Sequence, residues 1–148
     1  MYNLCTIYVQ FTFYVQFNTF RFTMTKEDMR ERLTDFAVRI IKMVDALPSS
    51  ISGNAVARQI VRSGTSPSAN YRAACLAKSD KDFLNKMKMV EEELDETNHW
   101  LDIIMRSQMI DPKRLEPLFQ ESKELTGIIV KSILSTKARM KANDEATR

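Results

Sequence analysis

Apolar residues recur three or four positions apart through most of this 148-residue chain, and this period constrains its fold more than any other feature. Such spacing places apolar side chains along one side of an α-helix. The stripes of the first, third and fourth helical stretches are Met29, Leu33, Phe36, Ile40, Val44 and Leu47; Phe83, Met87, Val90, Leu94, Thr97, Leu101 and Ile104; and Leu115, Leu118, Phe119, Leu125, Ile129 and Ile133. A second helical stretch lies between the first two stripes. Four helices of about twenty residues joined by short turns favour an all-α, up-down-up-down antiparallel four-helix bundle.

Residues that cap helix N termini mark where these helices are expected to begin. A hydroxyl or carboxylate at this position accepts a hydrogen bond from a free backbone N–H of the first turn. The expected caps are Thr25, with Asp28 three residues on; Ser79, with Asp82; and Asp111, with Pro112 in the first turn. The sequence has no glycine-rich phosphate loop and no alternation of strands with helices, so no α/β fold competes.

The second helical stretch, expected from about Ser52 to Ala77, contains a glycine and a proline in its interior. Pro67 removes one backbone hydrogen bond and displaces a carbonyl group, so we expect the helix to kink near Thr65. Small residues around Gly64 would let a neighbouring helix approach closely. The segment therefore predicts a tight helix contact beside the kink.

Four polar residues of this stretch are spaced three or four positions apart: Gln59, Arg62, Ser66 and Asn70. We expect this stripe to face either the acidic run of the third helix or another subunit. Burial of Arg62 without a carboxylate would be costly, so we predict that it pairs with Glu93 or Glu96. The other three residues of the stripe would complete a hydrogen-bond network. Such a network would specify the fold and the assembly rather than perform catalysis.

Residues 1–23 differ in composition from the rest of the chain. They contain eight of the twelve phenylalanine and tyrosine residues and a single charged residue, Arg21. Polar residues interrupt the apolar run and no basic segment precedes it, so neither a membrane span nor a signal peptide is expected. We expect an extension over 1–23 ahead of a working start at Met24, a four-helix-bundle domain over 24–143 and a polar tail over 144–148. The alternative is a hydrophobic arm over 1–23 that docks on a neighbour.

The middle of the chain resembles a known family. The segment from Ala57 to Leu101 is similar to the four-helix-bundle proteins named after the intervening sequences of bacterial 23S rRNA genes. The residues that carry the resemblance are Gln59, Arg62, Ser63, Ser66, Ala69, Asn70, Tyr71, Arg72, Ala74, Ser79, Asp82, Phe83, Glu93, Glu96, Thr97, Trp100 and Leu101. A similar length and helix layout extend from about Thr25 to Met140.

The resemblance implies a four-helix bundle that assembles with copies of itself into a ring, commonly a homopentamer. It also implies a distant similarity to the accessory proteins of diversity-generating retroelements. Those proteins are strongly basic and bind nucleic acid beside a reverse transcriptase. The net charge of this chain is only +3, and in this respect it departs from them.

No set of residues in the sequence indicates catalysis or a bound cofactor. Glu96 and His99 have the Glu-x-x-His spacing of a di-iron bundle, but such a site needs two of these motifs and two further carboxylates. The chain has one histidine. Cys75 has no neighbour that would stabilise a thiolate, and Ser63 and Ser66 have no base within reach on their helix. We therefore expect a protein that is not an enzyme and that has no cofactor or metal site.

One end of the bundle is expected to be basic. In an up-down-up-down bundle, the end of the second helix, the start of the third and the end of the fourth meet at one pole. The cations assigned to this basic pole are Arg72, Lys78, Lys81, Lys86, Lys88, Lys131, Lys137, Arg139 and Lys141. They form either an ordinary solvated surface with bases near helix C termini, or a site that holds the phosphate backbone of RNA or DNA without reading its bases.

Two functions agree with these observations. The first is a non-enzymatic assembly or scaffold protein, a small homo-oligomeric ring that presents surfaces to a partner. The second is a sequence-independent nucleic-acid-binding accessory protein that acts through the basic pole. The two cysteines form no paired motif, which favours a reducing cytoplasm for either function.

Overall fold

The computed structural model describes residues 11–12 and 23–146, and four helices account for most of them. The elements in chain order are β1 (Phe11–Thr12), β2 (Thr23–Met24), α1 (Lys26–Val44), α2 (Ile51–Cys75), α3 (Asp80–Arg106) and α4 (Pro112–Ala146). Each helix packs against the next one in the chain around one apolar core. The predicted all-α, four-helix architecture is confirmed.

The predicted caps stand at the starts of α1, α3 and α4. Thr25 and Asp28 form a capping box, in which the Asp28 N–H donates to Thr25 Oγ1 over 3.1 Å and the Thr25 N–H donates to Asp28 Oδ2 over 2.8 Å. Ser79 Oγ accepts from the Asp82 N–H over 3.1 Å. The Asp111 carboxylate accepts from the Lys113 N–H, in the first turn of α4, over 2.9 Å. These bonds satisfy donors that the helix itself leaves free.

The predicted apolar stripes form the core. Every stripe residue of α3, from Phe83 to Ile104, is buried. The stripe of α1 is buried from Met29 to Ile40 and partly buried at Val44 and Leu47, while that of α4 is buried except at the partly buried Phe119. Removing this apolar surface from water contributes roughly 25 cal/mol per Å², which is the main favourable term in the fold.

Helices α1 and α2 come closest at a glycine. A Cβ atom placed on Gly64 would lie 2.8 Å from Ile40 Cγ2 and 2.9 Å from Ile40 Cγ1, closer than side-chain atoms pack. The Thr34 and Ser68 hydroxyls form a hydrogen bond of 3.1 Å between the same helices. Because residue 34 meets 68 and residue 40 meets 64, α1 and α2 run in opposite directions.

Helices α3 and α4 are joined by polar contacts at two separate positions along α3. Asn98 Nδ2 donates to Thr126 Oγ1 over 3.0 Å, and Arg139 Nη2 lies 2.8 Å from Asp80 Oδ1. Because residue 98 meets residue 126 and residue 80 meets residue 139, α3 and α4 also run in opposite directions. The complete up-down-up-down order of the four helices stays a prediction.

Helix α2 continues through Pro67, which is buried. In the preceding turn the hydroxyls of Thr65 and Ser66 donate to the carbonyls of Val61 and Arg62 over 2.7 and 2.8 Å. Hydroxyls bonded back to the preceding turn compete with backbone hydrogen bonds and often accompany a bend. The kink near Pro67 itself stays a prediction.

Strands β1 and β2 pair antiparallel, with Phe11 opposite Met24. Residues 1–10 and 13–22, which make up most of the expected N-terminal extension, lie outside the described residues. The boundary expected at Met24 therefore stays a prediction.

The polar tail expected over 144–148 begins inside a helix, because α4 continues to Ala146. Lys141 Nζ lies 3.8 Å from Glu145 Oε1 one turn later, and such pairs stabilise an exposed helix. Ala142 and Ala146 in this last part of α4 also favour helix. The boundary between the bundle domain and a polar tail at residue 144 stays a prediction, and residues 147–148 lie outside the described part of the chain.

Candidate interaction surface

One outer side of the α2 and α3 pair carries a row of residues from each helix. The row on α2 is Arg62, Ser66, Ala69 and Ala73, and the row on α3 is Met89, Glu93, Glu96 and Trp100. Members of each row are four, three and four residues apart, so each row follows one side of its helix. We call this surface the α2–α3 face.

Arg62 connects the two rows. Its Nη2 donates to both carboxylate oxygens of Glu96 over 2.7 Å, and its Nη1 lies 3.6 Å from Glu93 Oε1. Trp100 Nε1 donates to Glu96 Oε1 over 3.2 Å. The sequence predicted the pairing of Arg62 with Glu93 or Glu96, and the structure contains it. The contact of Trp100 with Glu96 was missed, although their spacing of four residues on a helix indicates it.

A hydrogen bond beneath the face joins two fully buried hydroxyl groups. Thr97 Oγ1 lies 3.2 Å from Ser63 Oγ and also donates to the backbone carbonyl of Glu93 over 2.7 Å. Sequence reasoning placed Thr97 in the apolar stripe of α3 but did not predict its partner. A threonine within an apolar stripe is the signal for such a pair, because a buried hydroxyl needs a hydrogen-bond partner.

The rest of the predicted polar network is smaller than expected. The Ser66 hydroxyl donates to the carbonyl of Arg62 on its own helix. Gln59 is exposed and Asn70 is partly buried, and within the described residues no hydrogen bond joins either side chain to Glu93 or Glu96. A part for Gln59 and Asn70 in contacts at a subunit boundary stays a prediction.

Glu93 is the least well satisfied group of the α2–α3 face. Its side chain is 21% exposed, and Oε2 is buried without a hydrogen-bond partner among the described residues. Burial raises the pKa of Glu93 above its ordinary value; Arg62 opposes this rise, whereas the charges of Glu96 and Glu92 add to it. Ionised Glu93 therefore costs free energy in the isolated subunit.

The α2–α3 face also exposes apolar surface. Met89 is 50% exposed, and Trp100 is only partly buried. Ala69 is exposed and Ala73 partly buried on the facing helix, so the backbone of α2 is accessible there. Aromatic residues, methionine and arginine are enriched in protein interfaces, and small residues permit a close approach. The face thus combines features of an interface centre.

The basic pole is partly neutralised by acids. Arg139 pairs with Asp80, and this contact brings the end of α4 to the start of α3. Lys86 forms an ion pair with Asp82, and hydrogen bonds from Lys86 and from the Lys78 backbone N–H lower the pKa of Asp82. Ion pairs therefore occupy several of the predicted nucleic-acid contacts.

Two further cations of the pole pair within their own helices. Lys88 Nζ lies 2.7 Å from Glu91 Oε2, and Lys141 Nζ lies 3.8 Å from Glu145 Oε1. Lys131 is exposed on α4. Among the residues the structure describes, the exposed cations of the pole that form no ion pair are Arg72, Lys78, Lys81 and Lys137.

The described residues contain no group of three or more histidine, cysteine, aspartate or glutamate side chains that would hold a metal ion. His99 is exposed and packs edge-on against Trp100, with ring centroids 5.2 Å apart. Cys75 is partly buried at the end of α2. No helix in the described part of the chain is long and apolar enough to cross a membrane.

Comparison with known proteins supports a family assignment. The sequence model described as 23S rRNA-intervening sequence protein matches residues 26–131. A solved structure of a protein with unknown function from the S23 ribosomal protein family of Bacteroides thetaiotaomicron VPI-5482 is similar, with 31% sequence identity and a TM-score of 0.68. The similarity covers 73% of this chain and 96% of that one. Among curated proteins none matches.

Proposed function

Because the chain belongs to the 23S rRNA-intervening sequence protein family, we propose that it is a non-enzymatic assembly protein whose copies associate through the α2–α3 face. The observation that carries the proposal is the exposure of Met89 and Trp100 beside Ala69 and Ala73. Partly exposed aromatic and methionine side chains bind most strongly where a partner desolvates them. The partner in this proposal is a second copy of the chain.

The polar residues of the α2–α3 face favour a specific association over nonspecific hydrophobic association. Arg62 and Glu96 are already held to each other, so less side-chain entropy is lost when a partner covers them. Trp100 is fixed by its bond to the same carboxylate.

A ring requires that the α2–α3 face meet a different surface of the next copy. Such contacts between two different surfaces are called heterologous. They form a closed ring when the rotation from one subunit to the next adds up to a full turn. Exposed apolar side chains are available away from the face on α1, at Val38 and Ile41. We propose a ring, and the family resemblance implies five subunits. The proposed location is the cytoplasm.

Sedimentation velocity of the full chain tests the association. We expect oligomers at micromolar concentration, and we expect Ala69→Glu to shift the population to monomers by placing a charge at the centre of the face. Ala138→Glu, at an exposed alanine of α4, is the matched control and should leave the distribution unchanged. A clean monomer of the unmodified chain at these concentrations contradicts the proposal.

A second candidate function rests on the four unpaired cations of the basic pole, Arg72, Lys78, Lys81 and Lys137. We propose as the alternative that this pole binds RNA or DNA through backbone phosphates. Each subunit of a ring would present the same cations, and repeated weak contacts combine into stronger binding. Neutralised phosphates release counterions, so affinity should fall with salt at a slope of about 0.9 per phosphate on duplex DNA.

Binding titrations at two salt concentrations test this alternative. Changing Lys78, Lys81 and Lys137 together to Ala should weaken binding and reduce the salt slope. Lys86 and Lys88 already pair with acids, so changing both to Ala is the control and should have a smaller effect. If the unmodified chain does not bind at low salt, only the assembly function remains.

A further inference from the structure

A cavity of about 300 Å³ lies between the end of α1 and the start of α4, away from the α2–α3 face. Its floor is apolar and includes Ile110, Leu115 and Leu118, all nearly or fully buried in the core. Ile110 belongs to the turn between α3 and α4, where Gln108 adopts a left-handed φ of 54° that reverses the chain. The cavity is thus built by the core and by a defined turn.

The rim of the cavity carries positive charge. Arg39 and Lys42 of α1 and Arg114 of α4 line it, and no acidic side chain is among its lining residues. Arg39 pairs with Glu121, which lies outside the lining. Lys42 and Arg114 are exposed and form no ion pair within the described residues. Two unpaired cations therefore lie at the opening of a cavity whose floor is apolar.

The combination of rim and floor restricts what the cavity would bind. The apolar floor favours a ligand with an apolar part that fits inside the cavity. The two cations favour a ligand that carries an anionic group near the opening. The volume is about twice the ~150 Å³ of an engineered cavity that holds one benzene, so a body of one or two rings fits. The lining supplies no carboxylate to bind a cation or accept from a sugar hydroxyl. We infer that this cavity is a binding site for a small organic acid with a compact aromatic or branched apolar body and a single anionic group.

This site is separate from the α2–α3 face, because its residues lie on α1, α4 and the turn before α4. Packing between α1 and α4 is looser than between successive helices. Ion pairs of Arg32 with Glu121 and Glu124 hold the seam next to the cavity.

Two fluorescent probes that differ in one charged group test the inference. The probes are naphthalene-1-sulfonate, an anion, and naphthalene-1-sulfonamide, which has the same two rings with a neutral group in place of the sulfonate. We expect the anion to bind more tightly than the neutral probe. Lys42→Gln and Arg114→Gln should each weaken anion binding about fivefold, the value of one exposed ion pair, and leave the neutral probe within twofold.

Two control variants locate the binding. Lys113→Gln removes a neighbouring exposed cation that does not line the cavity, and it should leave the affinity for both probes unchanged. Ala46→Phe fills the mouth without removing core packing and should abolish binding of both probes. These substitutions are at exposed positions, so the variants should fold as the unmodified chain does, which circular dichroism checks.

Three results would overturn the inference. Equal affinity for the two probes would show that the cations contribute nothing. Unchanged binding in the Ala46→Phe variant would place the probes elsewhere on the protein. A change in the sedimentation of Lys42→Gln or Arg114→Gln, without loss of anion binding, would identify a second copy of the chain as the occupant of this cavity.

Discussion

Arg62 on α2 donates from one nitrogen to both carboxylate oxygens of Glu96 on α3, at 2.7 Å each. In the isolated subunit the arginine side chain is 55% exposed, so water screens this ion pair and limits its contribution to stability. In a desolvated interface the removal of one partner would be far more costly, because it would leave an uncompensated buried charge. The Arg62–Glu96 pair is therefore expected to matter more for assembly than for folding.

The first prediction concerns Arg62→Ala. We expect the free energy of unfolding of the monomer to change by less than about 1 kcal/mol, because exposed ion pairs contribute little. Association should weaken by about thirtyfold or more, the effect of a hot-spot residue worth ~2 kcal/mol. Denaturant unfolding at low concentration measures the first quantity, and sedimentation across a concentration series measures the second.

The control for this prediction is Arg106→Ala. Arg106 is also paired with an acid one turn away, Asp102, but its side chain is 81% exposed and lies outside the α2–α3 face. Its substitution should leave association unchanged. A loss of association equal to that of Arg62→Ala would show that the face is not the interface.

The second prediction compares two glycines within helices. Gly64→Ala should destabilise the fold by about 1–2 kcal/mol, because the new methyl group meets Ile40 and overpacking outweighs the gain in helix propensity. Gly127→Ala has no atom near the new methyl group, so it should stabilise the fold by about 0.5–1 kcal/mol. Thermal unfolding of both variants measures these changes. A Gly64→Ala variant as stable as Gly127→Ala contradicts the close approach of α1 to α2.

The third prediction concerns the pH dependence at Glu93. Burial raises the pKa of Glu93 in the folded state above its value in the unfolded chain. At pH below the unfolded value both states are protonated and the fold keeps its full stability. As the pH rises, the unfolded state loses its proton first, so stability is lost as the pH passes through the folded pKa. Glu93→Gln does not titrate and should be more stable, relative to the unmodified chain, at neutral pH than at acidic pH.

Melting temperatures at acidic and neutral pH measure this difference. Glu92→Gln changes an exposed neighbour and is the matched control, for which the difference from the unmodified chain should vary less with pH. A Glu93→Gln variant that loses stability on going from acidic to neutral pH as much as the unmodified chain does would contradict the burial argument.

The fourth prediction concerns the buried hydroxyl pair Ser63 and Thr97. Thr97→Val should destabilise the fold by about 1–3 kcal/mol, because Ser63 Oγ loses its partner in a fully buried place. Ser63→Ala combined with Thr97→Val removes both polar groups and should recover part of the loss. Chemical denaturation of the single and double variants measures the coupling. Additive losses would show that the two hydroxyls do not interact.

The fold was predictable from the sequence because local signals agree with one another. The capping box at Thr25 and the stripe from Phe83 to Ile104 each fix a helix and its buried side, and both are as predicted. The end of α4 was not predictable in this way. Its last turn carries no apolar stripe, and an exposed pair of Lys141 with Glu145 and favourable helix propensity help to extend it to Ala146.

The α2–α3 face was predictable only in part. An arginine among small residues requires a counter-charge, and the acidic run of α3 supplied the partner at Glu96. Side-chain pairing between two helices depends on how the helices are shifted and rotated relative to each other. The spacing of apolar residues within one helix does not determine this arrangement. The contact of Ser63 with Thr97 and the exposure of Met89 therefore emerged only from the packed helices.

The cavity had no signature in the sequence. Lys42 and Arg114 are far apart in the chain, and they flank the same opening only because the end of α1 lies beside the start of α4. The ion pair of Arg139 with Asp80 likewise depends on the meeting of two helix ends. Charges near helix ends are common, and the fold decides which of them are neutralised.

Trp100 provides the most direct test of assembly through the α2–α3 face, because it is the single tryptophan of the chain and belongs to the face. Quenching of its fluorescence by acrylamide should be measured across the concentration range in which sedimentation detects association. If the α2–α3 face is the subunit interface, Trp100 becomes less accessible to acrylamide as oligomers form, and Ala69→Glu restores the accessibility of the dilute protein. An assembled protein in which Trp100 is quenched as readily as in the monomer would contradict the account.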